Sequence, residues 1–279
     1  MELEKEEAQA ERVDETKEEE NPLFHEEDLI EIDELYLDDW IAVESIRCAF
    51  DSSFPPPDQR AYQLDVSNRS SALISWSVHA NQSALAFIHF FRQIDEFENL
   101  HADDRFVLIK SNLLLLFPVL KSFHLRSMND CCASNGNAAA TQHQKFFALC
   151  GESDGIQEEF AALVQSIIRV TEQDPTVISL LLLVCLFSRG SSIDDDQLPL
   201  KEPLSVHHAQ SFYARLLWMD LVRRHGPFRA IQRFMALLQT ILRVQTAAKR
   251  FRDFFRSQFL SLDSVDQVTP LMQTVLHIS

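Results

Sequence analysis

Glycine is scarce in this chain: 5 of the 279 residues are glycine, against about 7% in an average protein. Few positions can therefore adopt a positive φ at low cost. Tight hairpins and glycine-rich phosphate loops need such positions, so the sequence offers few places for them. The sequence also lacks a G-x-S-x-G elbow, a P-loop, an H-E-x-x-H motif and a dinucleotide fingerprint. We therefore expect helices, and we expect neither an enzyme nor a cofactor.

The sequence also has few cysteines and no mid-chain apolar run long enough to span a bilayer. The five cysteines are odd in number and contain no C-x-x-C pair, which excludes a zinc module and indicates reduced thiols inside the cell. The longest apolar stretch near mid-chain, residues 177–187, has 11 residues, whereas a bilayer span needs about 20. No basic and apolar signal peptide opens the sequence. We expect an intracellular protein that does not contact a membrane.

Three clusters have the residue types of metal ligands, but each has a plainer interpretation. The adjacent pair His207-His208 would point about 100° apart on a helix and cannot chelate one ion. The pair Cys131-Cys132, with His143 nearby in sequence, is interpreted as buried or loop-borne thiols, because neighbouring cysteines rarely share one metal. Residues 194–196 are aspartates without the alternating ligands and glycine of a calcium loop. We expect no metal site.

Negative charge is concentrated at one end of the chain. Residues 1–40 hold 18 acidic and 3 basic side chains, a net of −15, so the remaining residues carry a net of only −2. Residues 1–35 are predicted to be an acidic, disordered leader or hinge, because residues 1–20 have almost no apolar side chains and cannot offset the entropy of ordering. Such a leader repels nucleic acid, and the arginines of residues 243–256 alternate with phenylalanines at helical spacing. We expect no direct nucleic-acid binding by this chain.

From residue 36 to residue 279 the apolar periodicity predicts one all-α domain of nine or ten helices. Two predicted helices, residues 71–97 and 175–187, are apolar on nearly every side, which is typical of a helix in the middle of a layered body. Proline clusters, turn formers and the stop signal Gly226-Pro227 separate the helices. The predicted helices are residues 38–50, 71–97, 105–120, 157–171, 175–187, 206–225, 228–260 (one helix or two) and 270–276, and the predicted loops are residues 52–58, 127–141, 188–202 and 263–269.

Residues 90–110, FFRQIDEFENLHADDRFVLIK, form the most specific motif. An apolar helix ends in a basic residue, a short turn carries a phenylalanine, and an aspartate precedes an apolar run that ends in lysine. This motif resembles the signature of the nuclear receptor ligand-binding domain. The order of the later helices agrees with the family over residues 36–279: residues 180–188 are similar to the eighth helix, 212–226 to the ninth, 228–243 with 254–255 to the tenth and eleventh, and 271–276 to the terminal activation helix. Residues 37–40 are most similar to the thyroid-hormone-receptor-like branch of the family.

The resemblance implies a fold and a function. The fold would be a three-layer antiparallel sandwich of about ten to twelve helices. The function would be that of a nuclear regulatory domain that binds a lipophilic ligand and coregulator helices. The cysteines of this sequence cannot supply the family's zinc DNA-binding domain. The alternative is a receptor-like interaction protein without ligand or DNA-binding activity, acting as a dimer partner or repressor.

The resemblance also implies a groove for LxxLL-type coregulator helices. Arg92 and Lys110 would hold the negative C-terminal end of the bound helix, while a glutamate of the activation helix would hold the other end. Here that position is Thr274, and Arg105 stands where the family usually has glutamine. We therefore expect weak coactivator binding and a bias towards repression or constitutive closure. The implied groove consists of Leu85, Ile88, Arg92, Phe106, Ile109, Lys110, Leu271, Met272, Thr274, Val275 and Leu276.

An interior ligand pocket and a dimer interface are implied in the same way. His124 falls where many family members have an arginine that binds a ligand carboxylate or hydroxyl, which favours a neutral lipophilic ligand. The alternative, that this region binds no ligand, has equal support, because Trp76 and Phe117 are bulky enough to fill the cavity. The helix after Pro227 would pair in a homodimer or in a heterodimer with another nuclear receptor. The implied pocket is Trp76, Ser77, Ala80, Ser83, Ala84, Leu113, Leu114, Phe117 and His124, and the implied dimer interface is Ala230, Ile231, Phe234, Leu237, Leu238, Ile241 and Leu242.

Overall fold

The computed structural model of this protein describes residues 37–55, 64–124, 145–151, 155–188, 199–262 and 265–278. Within these ranges the regular structure is helical, and no strand is present. The prediction of an all-α fold of about ten helices is confirmed. The helices are α1 (Leu37–Ser53), α2 (Arg69–Phe91), α3 (Asp95–Glu98), α4 (Ala102–His124), α5 (Ile156–Thr171), α6 (Pro175–Leu186), α7 (Pro203–His225), α8 (Pro227–Ser261), the 3-10 turn η1 (Val265–Gln267) and α9 (Pro270–Leu276), and residues 145–149 are also helical.

Local sequence signals account for several helix ends. The Asn68 side chain accepts a hydrogen bond from a backbone N–H of the first turn of α2. Asp174 caps α6 in the same way, with Pro175 at the first helical position. Gly226 has a φ of 72° and ends α7, and Pro227 at once begins α8. The stop signal that the sequence predicts at this corner is confirmed.

Some boundaries differ from the predicted ones. The single helix predicted over residues 71–97 stops at Phe91, because an extended residue separates α2 from the short helix α3. Helix α1 continues to Ser53, two residues into a predicted loop. Helix α4 continues past Pro118 to His124 instead of ending at residue 120, since the buried surroundings hold the helix despite the missing proline N–H.

The remaining boundary predictions have mixed outcomes. Helix α8 is one continuous helix of 35 residues, so the alternative of two helices is wrong. The predicted loop over residues 127–141, most of the loop over residues 188–202 and the acidic leader over residues 1–35 lie outside the described residues.

Helices α4 and α6 form the centre of the described structure. Every residue of α6 from Thr176 to Leu186 is buried, and this helix packs against α1, α4 and α7. Helix α4 packs against α2, α5, α6, α8 and α9. The central position predicted for residues 175–187 is confirmed. The same prediction for residues 71–97 is wrong, because Val78 and Leu85 of α2 are 44% and 55% exposed, so α2 buries only one face.

Helix α4 is also long and apolar enough to cross a membrane, judged by length and composition alone. Of its most apolar window, 56% is buried inside the protein. The helix also carries Asp104 and Asn112, which are completely buried polar residues. These features are those of a core helix, and the expectation that the protein does not contact a membrane stays a prediction.

Two buried polar side chains of α4 tie distant segments to the centre. Asn112 Nδ2 donates to Leu186 O at 2.8 Å and to Ser188 O at 3.0 Å, which satisfies carbonyl groups at the C-terminal end of α6. The two carboxylate oxygens of Asp104 accept from the backbone N–H groups of residues 201 and 202, each at 2.8 Å. These bonds fix the end of α6 and the start of α7 against α4.

We predict that Asn112→Ala destabilises the protein by about 2 kcal/mol, because it leaves two buried carbonyl groups without their donor. Urea unfolding followed by circular dichroism measures the difference. Gln82→Ala is the matched control, since Gln82 is an exposed residue of α2. Equal unfolding midpoints for the two variants would show that the Asn112 bonds do not stabilise the fold.

Candidate functional site

One wall of the predicted coregulator groove lies on α2. Leu85, Ile88 and Arg92 recur at intervals of three and four residues and therefore share one face of the helix. Leu85 is 55% exposed, Ile88 is half-buried, and the Arg92 side chain is 68% exposed. This face of α2 presents an apolar surface that ends in a cation.

The other wall is the first part of α4. Phe106 is 49% exposed, and Ile109 and Lys110, three and four residues further on, are half-buried. These spacings place the three side chains on one face of α4. This wall therefore has the same composition as the first, an exposed apolar side chain followed by a cation.

An ion-pair cluster joins the two walls. Arg92 Nε lies 3.8 Å from Glu98 Oε2, and Arg105 Nη1 lies 2.8 Å from the same oxygen. Because Arg105 immediately precedes Phe106, the cluster brings the end of α2 close to the start of α4. Arg105, at the position where the resemblance leads us to expect glutamine, is held by this carboxylate. Exposed ion pairs stabilise little, so Arg92, at the longer distance, remains able to bind a partner.

Helix α9 is docked on the helical body. Met272, Val275 and Leu276 have no exposed surface, and α9 packs against α2, α4 and α8. At its N-terminal end Thr269 Oγ1 donates to Asn81 Oδ1 of α2 at 2.9 Å. The prediction that Met272, Val275 and Leu276 line the groove is therefore wrong: they face the core because they supply the apolar surface that docks α9.

The remaining predicted residues of α9 keep some exposed surface. Leu271 and Thr274 are half-buried, and Thr274 Oγ1 donates to Pro270 O at 2.9 Å within the helix. Gln273 Nε2 donates to two backbone carbonyl groups in the segment before α9, both at 2.9 Å. No carboxylate is present between residues 270 and 276. The predicted groove residues thus include two cations, Arg92 and Lys110, and no anion on α9.

Two of the predicted ligand-pocket residues, Trp76 and Phe117, make close aromatic contacts. The Trp76 indole stacks on Phe255 with ring centroids 3.6 Å apart, and Phe259 lies 6.2 Å from it. Phe117 meets Phe87 edge to face at 5.9 Å. These contacts favour an interior filled by side chains. Of the predicted pocket residues, Ser77, Ala80, Ala84, Leu113 and Leu114 are buried, and Trp76, Ser83, Phe117 and His124 are half-buried.

Two polar atoms of the same set have no hydrogen-bond partner among the described residues, Ser77 Oγ and His124 Nε2. Ser77 is completely buried. Burial, and to a lesser degree the charge of Lys121, lowers the pKa of His124 from 6.5 to about 4, so the imidazole is neutral at pH 7. A buried polar group without a partner costs free energy, and both atoms would bind a polar group placed beside them.

The predicted dimer helix presents a narrower apolar surface than the sequence indicated. Ala230, Leu237 and Ile241 are buried, and Phe234 packs on Trp218 with ring centroids 5.6 Å apart. The prediction that Ala230, Leu237 and Ile241 form the interface is wrong, because they are buried in the protein's own core, whereas Phe234 is half-buried and its place in the interface stays a prediction. The exposed residues, called the α8 stripe below, are Phe228, Ile231, Met235, Leu238 and Leu242, which are 85%, 50%, 51%, 38% and 63% exposed.

Phe228 and Met235 are absent from the predicted interface, although the sequence carries a signal for both. The stripe residues follow one another at intervals of three, four, three and four residues, which is the heptad spacing of a helix that pairs with another helix. The interface predicted from the sequence contains three residues of this heptad together with four neighbouring positions, Ala230, Phe234, Leu237 and Ile241. Ile231, Leu238 and Leu242 belong to both sets.

Chemically reactive groups are few in the described residues. No group of three or more histidine, cysteine or acidic side chains there has metal-binding geometry. His207 and His208 have ring centroids 6.4 Å apart. Burial raises the pKa of Cys150 to about 11 and that of Cys185 to about 12, so both thiols stay protonated at neutral pH. Residues 131–132, 143 and 194–196, considered above as metal ligands, lie outside the described residues.

A surface cleft of about 500 Å³ lies between α3 and the start of α7. Its lining includes Glu96, Asn99, Glu202, His208 and Phe212. None of the predicted site residues lines this cleft, and sequence analysis gave no signal for it, because its residues come from segments about 100 positions apart.

No protein-family model matches this chain, and no curated protein sequence matches it. The resemblance to nuclear receptor ligand-binding domains rests on residues 90–110 and on the order of the later helices, and it stays a prediction.

We predict that Trp76→Ala lowers stability by about 3 kcal/mol and creates a cavity beside Phe255 that binds indole. Thermal denaturation with and without indole measures both effects. The melting temperature of the variant should rise with indole, and that of the unaltered protein should not.

Trp40→Ala is the control for this measurement, because Trp40 lies on α1, is 40% exposed and contacts the Arg223 guanidinium 4.3 Å from its ring centroid. Indole should not stabilise this variant. If indole stabilises the unaltered protein as much as Trp76→Ala, a cavity exists without the substitution, and the interior is not filled.

Proposed function

We propose that this chain is a non-enzymatic regulatory domain that binds amphipathic helices of partner proteins, as nuclear receptor ligand-binding domains do. The observation that carries the proposal is the exposed apolar surface of Leu85 and Phe106, accompanied by Arg92 and Lys110 on the same helix faces. Exposed apolar surface beside charged groups is typical of interaction sites. A nuclear location is part of the same proposal.

The chemistry of the groove matches one end of a helix better than the other. Leucines of an LxxLL-type helix would pack on Leu85 and Phe106, and the negative C-terminal end of that helix would face Arg92 and Lys110. The positive N-terminal end would find Thr274, which carries no charge. We therefore propose weak recruitment of coactivators, with a bias towards repression or a constitutive state.

The proposal includes pairing with a second protein through the α8 stripe. Its five exposed apolar residues follow a heptad over four turns of one helix, which suits a helix-to-helix contact. A second copy of this chain and a related domain are both candidate partners.

A lipophilic ligand is the second candidate function. It is favoured by Ser77 Oγ and His124 Nε2, which lack partners among the described residues. A neutral imidazole would donate one hydrogen bond to a ligand hydroxyl or carbonyl group. The stacked pair Trp76 and Phe255 favours the alternative, a helix-binding domain without ligand.

We predict that Thr274→Glu strengthens binding of a fluorescent LxxLL peptide by about 1 kcal/mol, roughly fivefold, because the new carboxylate faces the positive end of the peptide helix. Arg92→Ala should weaken binding by a similar factor. Fluorescence anisotropy on the full chain measures both affinities.

The matched control is Arg256→Ala, since Arg256 is an exposed arginine of α8. This variant should bind the peptide like the unaltered protein. An equal loss in Arg92→Ala and Arg256→Ala, together with no gain in Thr274→Glu, would contradict the proposed groove.

A further inference from the structure

One face of α7 forms a wall of the surface cleft between α3 and the start of α7. Ser205, His208, Ala209 and Phe212 line the cleft and follow one another at intervals of three, one and three residues, which places them on the same side of the helix. Residues 96, 99 and 100 form the opposite wall. The volume of about 500 Å³ lies within the range of small-molecule sites, roughly 300–1,000 Å³.

Two glutamates give the cleft its charge. Glu96 and Glu202 line it, and no lysine or arginine is among the described residues around it. Within the described part of the chain, neither carboxylate forms an ion pair. The positive N-terminal end of α7 lies beside Glu202 and offsets part of its charge. The cleft nevertheless remains negative and favours a cation.

Both carboxylates are oriented by hydrogen bonds from the protein. The Tyr213 hydroxyl donates to Glu96 Oε2. Burial, and next the Glu96 carboxylate, raise the pKa of Tyr213 above its ordinary range, so this hydroxyl stays protonated and keeps donating. Glu202 Oε2 accepts from the backbone N–H of residue 101 at 3.2 Å. Each carboxylate retains lone pairs with which it can accept from a ligand.

The cations closest in sequence to the cleft are matched by other carboxylates. Lys201 Nζ lies 2.6 Å from Asp103 Oδ2. Arg215 donates to both carboxylate oxygens of Asp39, at 2.6 and 2.7 Å. Its Cζ atom lies 5.5 Å from the centroid of the Phe212 ring, so this ring already attracts a guanidinium group. The negative charge of the cleft is thus left for a ligand to match.

The geometry favours an organic cation over a metal ion. Glu96, Glu202 and His208 line the same cleft, but no group of three histidine, cysteine or acidic side chains among the described residues has metal-binding geometry. The lining also includes Leu100 and Phe212, which provide apolar surface. A ligand with a cationic head and an apolar stem would use both parts of the lining.

We propose that this cleft binds a guanidinium group on an apolar stem, carried by an arginine side chain of another protein or by a free alkylguanidine. The planar guanidinium has five N–H donors, which suit the carboxylates of Glu96 and Glu202, and its face stacks on an aromatic ring such as Phe212. The site is separate from the groove and from the α8 stripe, so this inference does not depend on the proposed recognition of helices.

Two blocked amino acids test the need for charge. N-acetyl-arginine N-methylamide carries the guanidinium, and its citrulline counterpart has nearly the same shape without the charge. In nuclear magnetic resonance titrations of the full chain at pH 7.5, the arginine probe should shift the backbone amide signals of Asn99 and Ala209. Its dissociation constant should be on the order of 1–10 mM, as expected for a single exposed cation. The citrulline probe should bind at least fivefold more weakly.

Variants of the full chain assign the binding to the cleft. Glu96→Gln removes the charge and keeps an oxygen that can accept from Tyr213, and Glu202→Gln changes an exposed position. Each variant should bind the arginine probe at least fivefold more weakly. Glu158→Gln is the matched control, because Glu158 is an exposed glutamate of α5 outside the cleft, and it should bind the probe like the unaltered protein.

Equal binding of the arginine and citrulline probes, or an equal loss in Glu158→Gln and in the two cleft variants, would overturn the proposal. Signal shifts confined to residues outside the cleft would overturn it as well. Agmatine, a free alkylguanidine, distinguishes the two sources of the group. Binding of agmatine at least fivefold tighter than the blocked arginine would support a free alkylguanidine, and the reverse order would support an arginine side chain.

Discussion

Helix α6 sets the constraint on which the rest of the structure depends. It is buried on every side from Thr176 to Leu186, so other helices must surround it, and α1, α4 and α7 do so. At and just beyond its C-terminal end, the carbonyl groups of Leu186 and Ser188 accept buried hydrogen bonds from Asn112 of α4. A helix of this kind is stable only inside a layered body. The outer helices carry additional apolar side chains that the core does not bury, and these remain exposed.

That surplus surface is where the proposed function lies. Leu85 on α2, Phe106 on α4 and the α8 stripe are large apolar groups that the centre of the protein does not bury. Leu85 and Phe106 share their helix faces with Arg92 and Lys110, and the Glu98 carboxylate pairs with Arg92 and Arg105 beside them. The described residues contain no metal cluster, and the buried thiols are held protonated. It is the exposed apolar surface that supports the proposed recognition of partner helices.

The sequence predicted the helices well and their surroundings less well. The sequence pattern located α6 because it is apolar at nearly every position, and Gly226-Pro227 marked the corner between α7 and α8. Periodicity did not reveal that α2 buries one face, since Val78 and Leu85 are as apolar as the residues that do pack inward. Nor could it separate Leu237, a core residue, from its neighbour Leu238 on the stripe. Which apolar side chains meet the core depends on how neighbouring helices pack, and spacing along one helix does not contain that information.

The proposed constitutive state requires that α9 stays docked whether or not a ligand is bound, so that the domain presents a constant surface to its partners. Hydrogen exchange of residues 270–276 in the purified protein, compared with α6 as a buried reference, tests this claim most directly. The account predicts slow exchange of these amides with no ligand added, because Met272, Val275 and Leu276 are completely buried. Exchange as fast as that of an unfolded peptide, slowed only when a lipophilic ligand is added, would contradict it and would indicate a ligand-controlled switch.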